Sequence, residues 1–321
     1  MFAKIATIIV ILIGQTGISA SVKDTLASAF SAYVPKAESV IARADGEEKA
    51  RLADEVVSSL APLPGKISAD STIFVDAKSA IVLDAATKEV LFESNGNEKL
   101  PMASITKVMT CLLAIERGNL EDVVAIKQED VIETGSDIDL RSGEEIRLDD
   151  LVKAALIKSA NDAAQAVARQ VGGDSKEAFV VMMNEKAKEL GLRNTHYVNS
   201  HGFDEEGHYS SAYDIALLMS YAMENETFRT ITRMKSHEAH VLNFDQRVIP
   251  ISATNKLLIQ DDSLIEGGKT GFTDEAGESL VTVAKNPNGH RIIIVLLDSP
   301  NANRFPETKR LIDWIYQKYD W

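Results

Sequence analysis

The alternation of apolar and polar residues along the chain separates helical segments from strands. Apolar positions recur with helical spacing over residues 149–171, 175–190 and 212–224. Short apolar runs bounded by turn residues indicate strands instead. These runs are Ala80–Leu83 and Val90–Phe92, and further strand signals lie at Ile265–Gly271, Leu280–Ala284 and Arg291–Leu297. Strands near both ends of the chain, with helices between them, predict a mixed α/β fold whose sheet is completed by distant segments.

Polar stretches between these runs predict how neighbouring elements connect. Residues 84–89 should join the first two strands as a β-hairpin, and Asn286–Gly289 is a typical turn between the last two. A further helix should begin near Ser104 and end near Glu116. A terminal helix should run from about Pro306, a residue type favoured in the first helical turn, to Tyr319.

The N-terminus has the pattern of a secretory signal over residues 1–20. Lys4 supplies the positive end, residues 5–13 are apolar, and small residues follow as far as Ala20. The apolar stretch is short for a membrane span, which needs about 20 residues. We therefore expect an exported protein, with an uncleaved N-terminal anchor as the alternative. Residues 21–71 should then form an amphipathic helical segment and a linker, and residues 72–321 the main domain.

Composition narrows the possible function classes. The 321 residues carry a formal net charge of −14. A nucleic-acid partner is therefore disfavoured, because neutralising phosphates needs clustered Lys and Arg. Cys111 is the single cysteine, so no internal disulfide can form. It lies in an apolar helical pattern, which favours a buried structural thiol.

The first motif that carries chemistry is Ser104-Ile105-Thr106-Lys107. Residues three apart share one face of a helix, so the Ser104 hydroxyl and the Lys107 amine can meet. A serine needs a base to take its proton, and a desolvated lysine can have a pKa low enough to act as that base. Alone the motif is weak, since roughly one such spacing is expected by chance.

Two further motifs follow in order along the chain. Ser159-Ala160-Asn161 sets a hydroxyl and a carboxamide at the end of a helical run, where they could relay a proton and hold a substrate amide. Lys269-Thr270-Gly271 lies in an apolar strand. Its lysine and threonine can bind a carboxylate, and its glycine permits close approach of an extended peptide. Each tripeptide alone is more often an ordinary helix end or strand end.

Together the three ordered motifs resemble those of the penicillin-recognising serine peptidases and β-lactamases. Their surroundings are similar to the D-alanyl-D-alanine carboxypeptidase family in particular. The supporting stretches are Pro101–Lys107 with Met109-Thr110, Ser159–Ala164, Ser200–Asp204, Tyr209–Ala212, Thr254–Leu258, and Lys269–Thr273 with Ala276-Gly277. The resemblance covers residues from about Ile73 to Trp314. One departure is Ala160, where the family often has glycine.

The resemblance implies roles that agree with the chemistry of these side chains. Ser104 would attack the carbonyl between two D-alanines, with Lys107 as its base. Ser159 would help carry the proton to the leaving amine, assisted by Lys269. Asn161 would hold the peptide.

The resemblance also implies how the rest of the substrate is bound. Thr270 would bind the terminal carboxylate, and the planar guanidinium of Arg304 would complete that pocket. Gly271 would let the peptide lie along the strand, and the backbone N–H groups of Phe272 and Ser104 would form the oxyanion hole.

The fold and the partners follow from the same resemblance. The domain should be of the β-lactamase/transpeptidase-like type, an antiparallel sheet flanked by helices with a helical subdomain. Its substrates would be peptidoglycan stem peptides, and β-lactam antibiotics would be covalent inhibitors. No metal, organic cofactor or nucleic acid is implied. The protein would act in the periplasm or at the outer face of the bacterial cytoplasmic membrane.

Other functions compete with a carboxypeptidase. A DD-endopeptidase that cuts crosslinks, or a catalytically inert binder of cell-wall peptides, would share the motifs. A β-lactamase of the best-known class needs a Glu-x-x-Leu-Asn loop, and the chain has none. A zinc peptidase could use His201, Asp204 and His208, but no helical HExxH motif is present. A Ser-His-Asp hydrolase is disfavoured because no Gly-x-Ser-x-Gly elbow occurs.

Overall fold

The structure, a computed structural model, describes residues 65–66, 73–132, 134–244, 246–260, 262–300 and 303–320 of the 321. The expected signal at residues 1–20 lies outside these residues. So does the helical segment and linker at 21–71, apart from a two-residue strand at Gly65–Lys66.

The described elements divide into strands and helices as follows. The strands are β1 (Gly65–Lys66), β2 (Ser79–Asp84), β3 (Val90–Ser94), β4 (Val123–Ala125), β5 (Glu145–Arg147), β6 (Ser236–His240), β7 (Val248–Ser252), β8 (Ile265–Thr273), β9 (Gly277–Lys285), β10 (Arg291–Ser299) and β11 (Tyr319–Asp320). The α-helices are α1 (Lys107–Arg117), α2 (Leu148–Lys153), α3 (Asn161–Val171), α4 (Lys176–Glu189), α5 (Ala212–Ala222), α6 (Glu226–Thr232), α7 (Lys256–Ile259) and α8 (Arg304–Lys318).

The main sheet has five antiparallel strands in the order β3-β2-β10-β9-β8. This confirms the mixed α/β fold with an antiparallel sheet completed by segments from both ends of the chain. The predicted hairpin is β2–β3, and the Asn286–Gly289 turn joins β9 to β10. Strand β8 lies at the edge of the sheet, so one of its sides is left for another extended chain.

Helices cover both faces of the sheet, which explains why the central strand β10 is apolar from Ile292 to Leu297. Alternate residues of a strand point to opposite faces. Ile294 packs in one core cluster with Leu311 of α8. Val295, its neighbour, packs in the other cluster with Leu112 of α1. A strand buried on both sides reads as a continuous hydrophobic run rather than as an alternation.

The predicted helices at 175–190, 212–224 and the C-terminus correspond to α4, α5 and α8. The helical period over residues 149–171 is interrupted, however, by a π-helical turn at Ala154–Lys158 and a break at Ser159-Ala160. Ser159 is left-handed, with φ of 68°, and α3 begins only at Asn161. The break is the structural correction that matters for the site, because it takes Ser159 out of the helix and places Asn161 at the start of α3.

The two small sheets β4–β5 and β6–β7, and the short helix α6, have no counterpart among the sequence predictions. Their strands have three to five residues, too few to establish a period. Within the described ranges, no helix combines the length and apolar character needed to cross a membrane.

Candidate active site

Ser104 lies in a short 3-10 turn, Ala103–Thr106, that leads directly into α1. The turn and the helix put Ser104 and Lys107 on one face, as their spacing predicts. The Ser104 Oγ and the Lys107 Nζ are 2.8 Å apart. The two groups that the first motif requires are therefore in hydrogen-bond contact.

The Lys107 amine is fully buried and has two further partners, both uncharged. It donates to Asn161 Oδ1 and to the carbonyl oxygen of His201, each at 2.7 Å. Burial lowers the pKa of Lys107 well below its usual range, and the positive charge of Lys269 lowers it further. A neutral amine has two N–H donors for these two oxygens and one lone pair, which then faces the Ser104 hydroxyl.

A second buried amine, that of Lys269, reaches the site from strand β8. Its Nζ donates to Ser159 Oγ and to the Thr270 carbonyl oxygen, both at 2.7 Å. Burial lowers the pKa of Lys269 to about 7, and the charge of Arg304 adds to this effect. The break between the helices at Ser159 thus presents the Ser159 hydroxyl to the Lys269 amine. Asn161, two residues later, presents its amide oxygen to Lys107. Ala160 has φ of −62°, so the alanine found there needs no glycine conformation.

Strand β8 passes close to the turn that carries the nucleophile. A Cβ added to Gly271 would lie 3.0 Å from the Met102 carbonyl oxygen and 3.3 Å from the Ser104 backbone nitrogen. The glycine of the third motif is therefore required by this close approach. The approach brings the backbone of Gly271 and Phe272 beside that of Ser104, where the oxyanion hole is expected.

The far end of the cleft offers hydroxyl groups and a guanidinium. The Oγ1 atoms of Thr270 and Thr254 are 2.6 Å apart. Arg304, the first residue of α8, donates from Nη1 to the Gly271 carbonyl oxygen at 2.6 Å, and its Nε is 3.5 Å from a Glu278 carboxylate oxygen. The geometry suits binding of a carboxylate by hydroxyls and a partly buried cation.

These side chains surround a cleft of about 280 Å³. Seven of the nine predicted site residues line it: Ser104, Ser159, Asn161, Thr270, Gly271, Phe272 and Arg304. The other two, Lys107 and Lys269, are fully buried and reach the cleft through the serine hydroxyls that they contact.

The cleft also contains residues for which no role was predicted. Phe203 and Thr254 line it and belong to stretches that carry the family resemblance, so that resemblance was their only signal. Ser136 lines it too, and its carbonyl oxygen accepts from the Asn161 backbone N–H at 2.7 Å. No local pattern could have predicted Ser136, because its position depends on a loop packing against the start of α3.

The histidines considered as zinc ligands have protein partners instead. His208 is buried and contacts Thr106 and the Val198 backbone, and His201 accepts from the Phe203 N–H through Nδ1. Burial lowers the pKa of His201 to about 3 and that of His208 to about 4. Across the part of the chain that the structure describes, no three His, Cys, Asp or Glu side chains come together as a metal site would require.

Cys111 is buried, as its apolar surroundings predict. Its thiol donates weakly to the Val152 carbonyl oxygen at 3.7 Å, and burial raises the pKa of Cys111 to about 12. A thiol with so high a pKa is unreactive at neutral pH.

Comparisons with known proteins agree with this geometry. A family model described as D-alanyl-D-alanine carboxypeptidase matches residues 66–301. The chain is 36% identical over 250 residues to D-alanyl-D-alanine carboxypeptidase DacF of Bacillus subtilis. The alignment covers 76% of this chain and 63% of that protein. It is 32% identical over 249 residues to a D-alanyl-D-alanine endopeptidase of Pseudomonas aeruginosa, covering 74% of this chain and 76% of that one.

Among solved structures, a mutant of the Streptomyces K15 DD-transpeptidase has a TM-score of 0.72 and 26% sequence identity. The alignment covers 77% of this chain and all of that one. The chain spans slightly less than two thirds of the length of the first curated carboxypeptidases that it matches. The three proteins are named for three different reactions, as a carboxypeptidase, an endopeptidase and a transpeptidase.

Proposed function

The chain belongs to the D-alanyl-D-alanine carboxypeptidase family, and on that premise we propose that it removes the terminal D-alanine from peptidoglycan stem peptides through an acyl-enzyme on Ser104. One observation carries the proposal. The Ser104 hydroxyl is 2.8 Å from a buried Lys107 amine whose two other partners are uncharged. An amine in such a place is held neutral and can accept a proton.

Acylation would begin with transfer of the Ser104 proton to the Lys107 lone pair. Ser104 Oγ then bonds to the carbonyl carbon between the two D-alanines, and the carbonyl oxygen becomes an oxyanion. The N–H groups of Ser104 and Phe272 would stabilise that charge, because preorganised donors act most strongly where charge develops.

Collapse of the intermediate breaks the C–N bond, and the leaving amine must gain a proton. Ser159 can relay one, since its hydroxyl is 2.7 Å from the Lys269 amine. A pKa near 7 suits Lys269 to exchange protons at neutral pH. D-Alanine leaves, and attack by water on the ester then frees Ser104.

Substrate selection would rest on the other end of the cleft. Thr270 and Arg304 would bind the terminal carboxylate, and Asn161 would hold the peptide through its amide. Strand β8 is an edge strand, so an extended peptide can pair with it beside Gly271. The exposed ring of Phe272 would form one wall of the cleft, beside the bound peptide.

Penicillin labelling tests the nucleophile. We expect wild-type protein to gain the mass of one penicilloyl group, with the adduct on the peptide that contains Ser104. The Ser104→Ala variant should lose both the adduct and all peptide turnover, whereas Ser236→Ala, a change at an exposed serine on β6, should retain them. Turnover by Ser104→Ala would rule out the mechanism.

Mass analysis of muropeptide products separates the reactions. Loss of one alanine from uncrosslinked pentapeptide stems supports the carboxypeptidase. Conversion of crosslinked dimers to monomers would favour a DD-endopeptidase, the activity named for the Pseudomonas aeruginosa relative. A penicillin adduct with no change in either pool would point to an inert binder of cell-wall peptides.

We also propose that the protein is exported and acts in the periplasm or at the outer face of the cytoplasmic membrane. The signal pattern at residues 1–20 supports export, and peptidoglycan stem peptides lie outside that membrane. N-terminal sequencing of the protein from its native membrane and soluble fractions distinguishes a cleaved signal from an N-terminal anchor. β-Lactams would act on it as covalent inhibitors at Ser104.

A further inference from the structure

The peptide unit between Ala103 and Ser104 is held in an unusual conformation. Ala103 has φ of 47°, in the left-handed region that non-glycine residues rarely adopt. Its carbonyl oxygen is pressed against Gly202, where an added Cβ would lie 1.9 Å away. Such strained residues persist only where their surroundings hold them in place. The N–H of this same peptide unit is that of Ser104.

A chain of hydrogen bonds ends on that carbonyl oxygen. The Val198 backbone N–H lies 3.1 Å from His208 Nδ1, His208 Nε2 lies 2.7 Å from Thr106 Oγ1, and Thr106 Oγ1 donates to the Ala103 carbonyl oxygen at 2.8 Å. A backbone N–H can only donate, so Nδ1 accepts and the ring proton of a neutral His208 is on Nε2. Every bond in the chain therefore points the same way, from Val198 to Ala103.

The two side chains in this series of hydrogen bonds are shielded from water. Thr106 is fully buried, and His208 is 5% exposed. The ring of Tyr197 packs edge-on against His208, with centroids 5.9 Å apart. Hydrogen bonds that run in one direction in a low-dielectric interior polarise one another. A hydrogen bond to an amide carbonyl also draws electrons from its nitrogen, which makes the N–H of that amide a stronger donor.

We propose that Thr106 and His208 are positioning residues that hold the Ala103–Ser104 peptide in its strained conformation and strengthen the Ser104 N–H as an oxyanion donor. Neither side chain lines the cleft, so both act through Ser104. The inference rests on the proposed acyl-enzyme at Ser104. It goes beyond the three motifs, because Thr106 is an unspecified position of Ser-x-x-Lys and His208 belongs to none of the motifs.

The helix α1 offers a matched control for the loss of a hydroxyl. Thr110 is buried one turn after Thr106 and donates to a backbone carbonyl, that of Ser200, at 2.6 Å. Replacing either threonine by valine keeps the shape; Thr110→Val removes one buried hydrogen bond, and Thr106→Val removes two, those with His208 and with the Ala103 carbonyl oxygen. Only Thr106 bonds to the peptide unit of the nucleophile, so only Thr106→Val should affect the oxyanion.

The experiment is penicillin acylation, with the rate constant for acylation separated from the constant for initial binding. Loss of a whole oxyanion donor costs about 10²–10³ in rate, so weakening one donor should cost about tenfold. We expect this decrease for Thr106→Val with unchanged initial binding. Thr106→Ser, which keeps the hydroxyl, should restore the rate, and Thr110→Val should acylate like wild type.

Infrared spectra of the acyl-enzyme, with the ester carbonyl carbon isotopically labelled, give a readout that a purely structural role would not change. Weaker donation by Ser104 should raise the carbonyl stretching frequency in Thr106→Val and not in Thr110→Val. If Thr106→Val does not fold, His208→Leu removes the preceding donor and should shift the frequency in the same direction. An unchanged rate and frequency overturn the inference. If wild-type protein forms no adduct at Ser104, the proposed function itself fails.

Discussion

A buried basic side chain lies at each end of helix α3, and the two have partners of different charge. Near its C-terminal end, Arg169 is 3% exposed and binds the fully buried carboxylate of Asp130, with the shortest N–O distance at 2.7 Å. Asp174 adds a second bond at 3.0 Å. At its start, Asn161 accepts from Lys107, an equally buried amine whose hydrogen-bond partners are all uncharged.

The difference separates a structural site from a chemical one. Burying a charge is costly unless it is paired, so the Arg169 cluster is compensated by carboxylates and stays ionised. Although burial acts against its charge, the hydrogen bonds that Arg169 donates to Asp130 and Asp174 raise the pKa of Arg169. Lys107 lacks that compensation, and burial lowers its pKa. The same cost that would destabilise an unpaired cation keeps this amine neutral and basic.

Asn161→Asp should break the comparison by giving Lys107 a carboxylate. An opposite charge this close raises a lysine pKa by about 1–3 units, so the pH at which Lys107 becomes protonated should rise by the same amount. In the proposed mechanism the activity depends on neutral Lys107, and it is lost as pH falls through the pKa of that amine. The acid limb of penicillin acylation should therefore move to higher pH.

Asn161→Ala is the control for Asn161→Asp, because it removes the same amide without adding charge. It should lower activity through weaker peptide binding but leave the acid limb in place or move it to lower pH. An identical pH profile for both variants would mean that Lys107 is not the group whose ionisation limits acylation.

Arg169→Met should damage stability rather than chemistry. It leaves the Asp130 carboxylate buried with only Lys176, at 3.7 Å, as a remaining cation. Breaking a buried pair on one side costs about 3 kcal/mol of unfolding free energy. Urea unfolding measures that loss, and penicillin acylation per folded molecule should match wild type. The double variant Arg169→Met with Asp130→Asn should recover part of the stability, since no buried charge remains.

The sequence predicts one of these regions far better than the other. The three motifs place Ser104, Lys107 and Lys269 in chemistry that a resemblance to known peptidases makes specific, and the structure brings these groups together. The Asp130–Arg169 pair joins residues 39 positions apart through ordinary charged side chains, and no local pattern marks it. Buried ion pairs are set by tertiary packing, which periodicity does not report.

In the fold too, local sequence patterns predicted some elements, and contacts between distant residues determined others. Strands β9 and β10 were predictable because strands buried on both faces contain apolar runs. The helical period over residues 149–171 does not indicate the break, and only the second motif placed the end of a helical run at Ser159. Its left-handed conformation accompanies a hydrogen bond from Lys269, 110 residues away, and a distant contact here outweighs local propensity.

The pH dependence of stability sharpens the comparison further. Lys269 has a pKa of about 7 in the folded protein and the ordinary value of 10.5 when unfolded. Between these values the unfolded state binds a proton that the folded state does not, so stability rises with pH across this window. Urea unfolding at about pH 7 and about pH 9.5 should show a gain of about 3 kcal/mol from this group. Lys269→Met should lose that part of the rise, while Arg169→Met should keep it, because the carboxylate-paired cation does not titrate there.

A rise that is equal in wild type and Lys269→Met would mean that Lys269 stays protonated when folded, and its role beside Ser159 would then be that of a fixed charge.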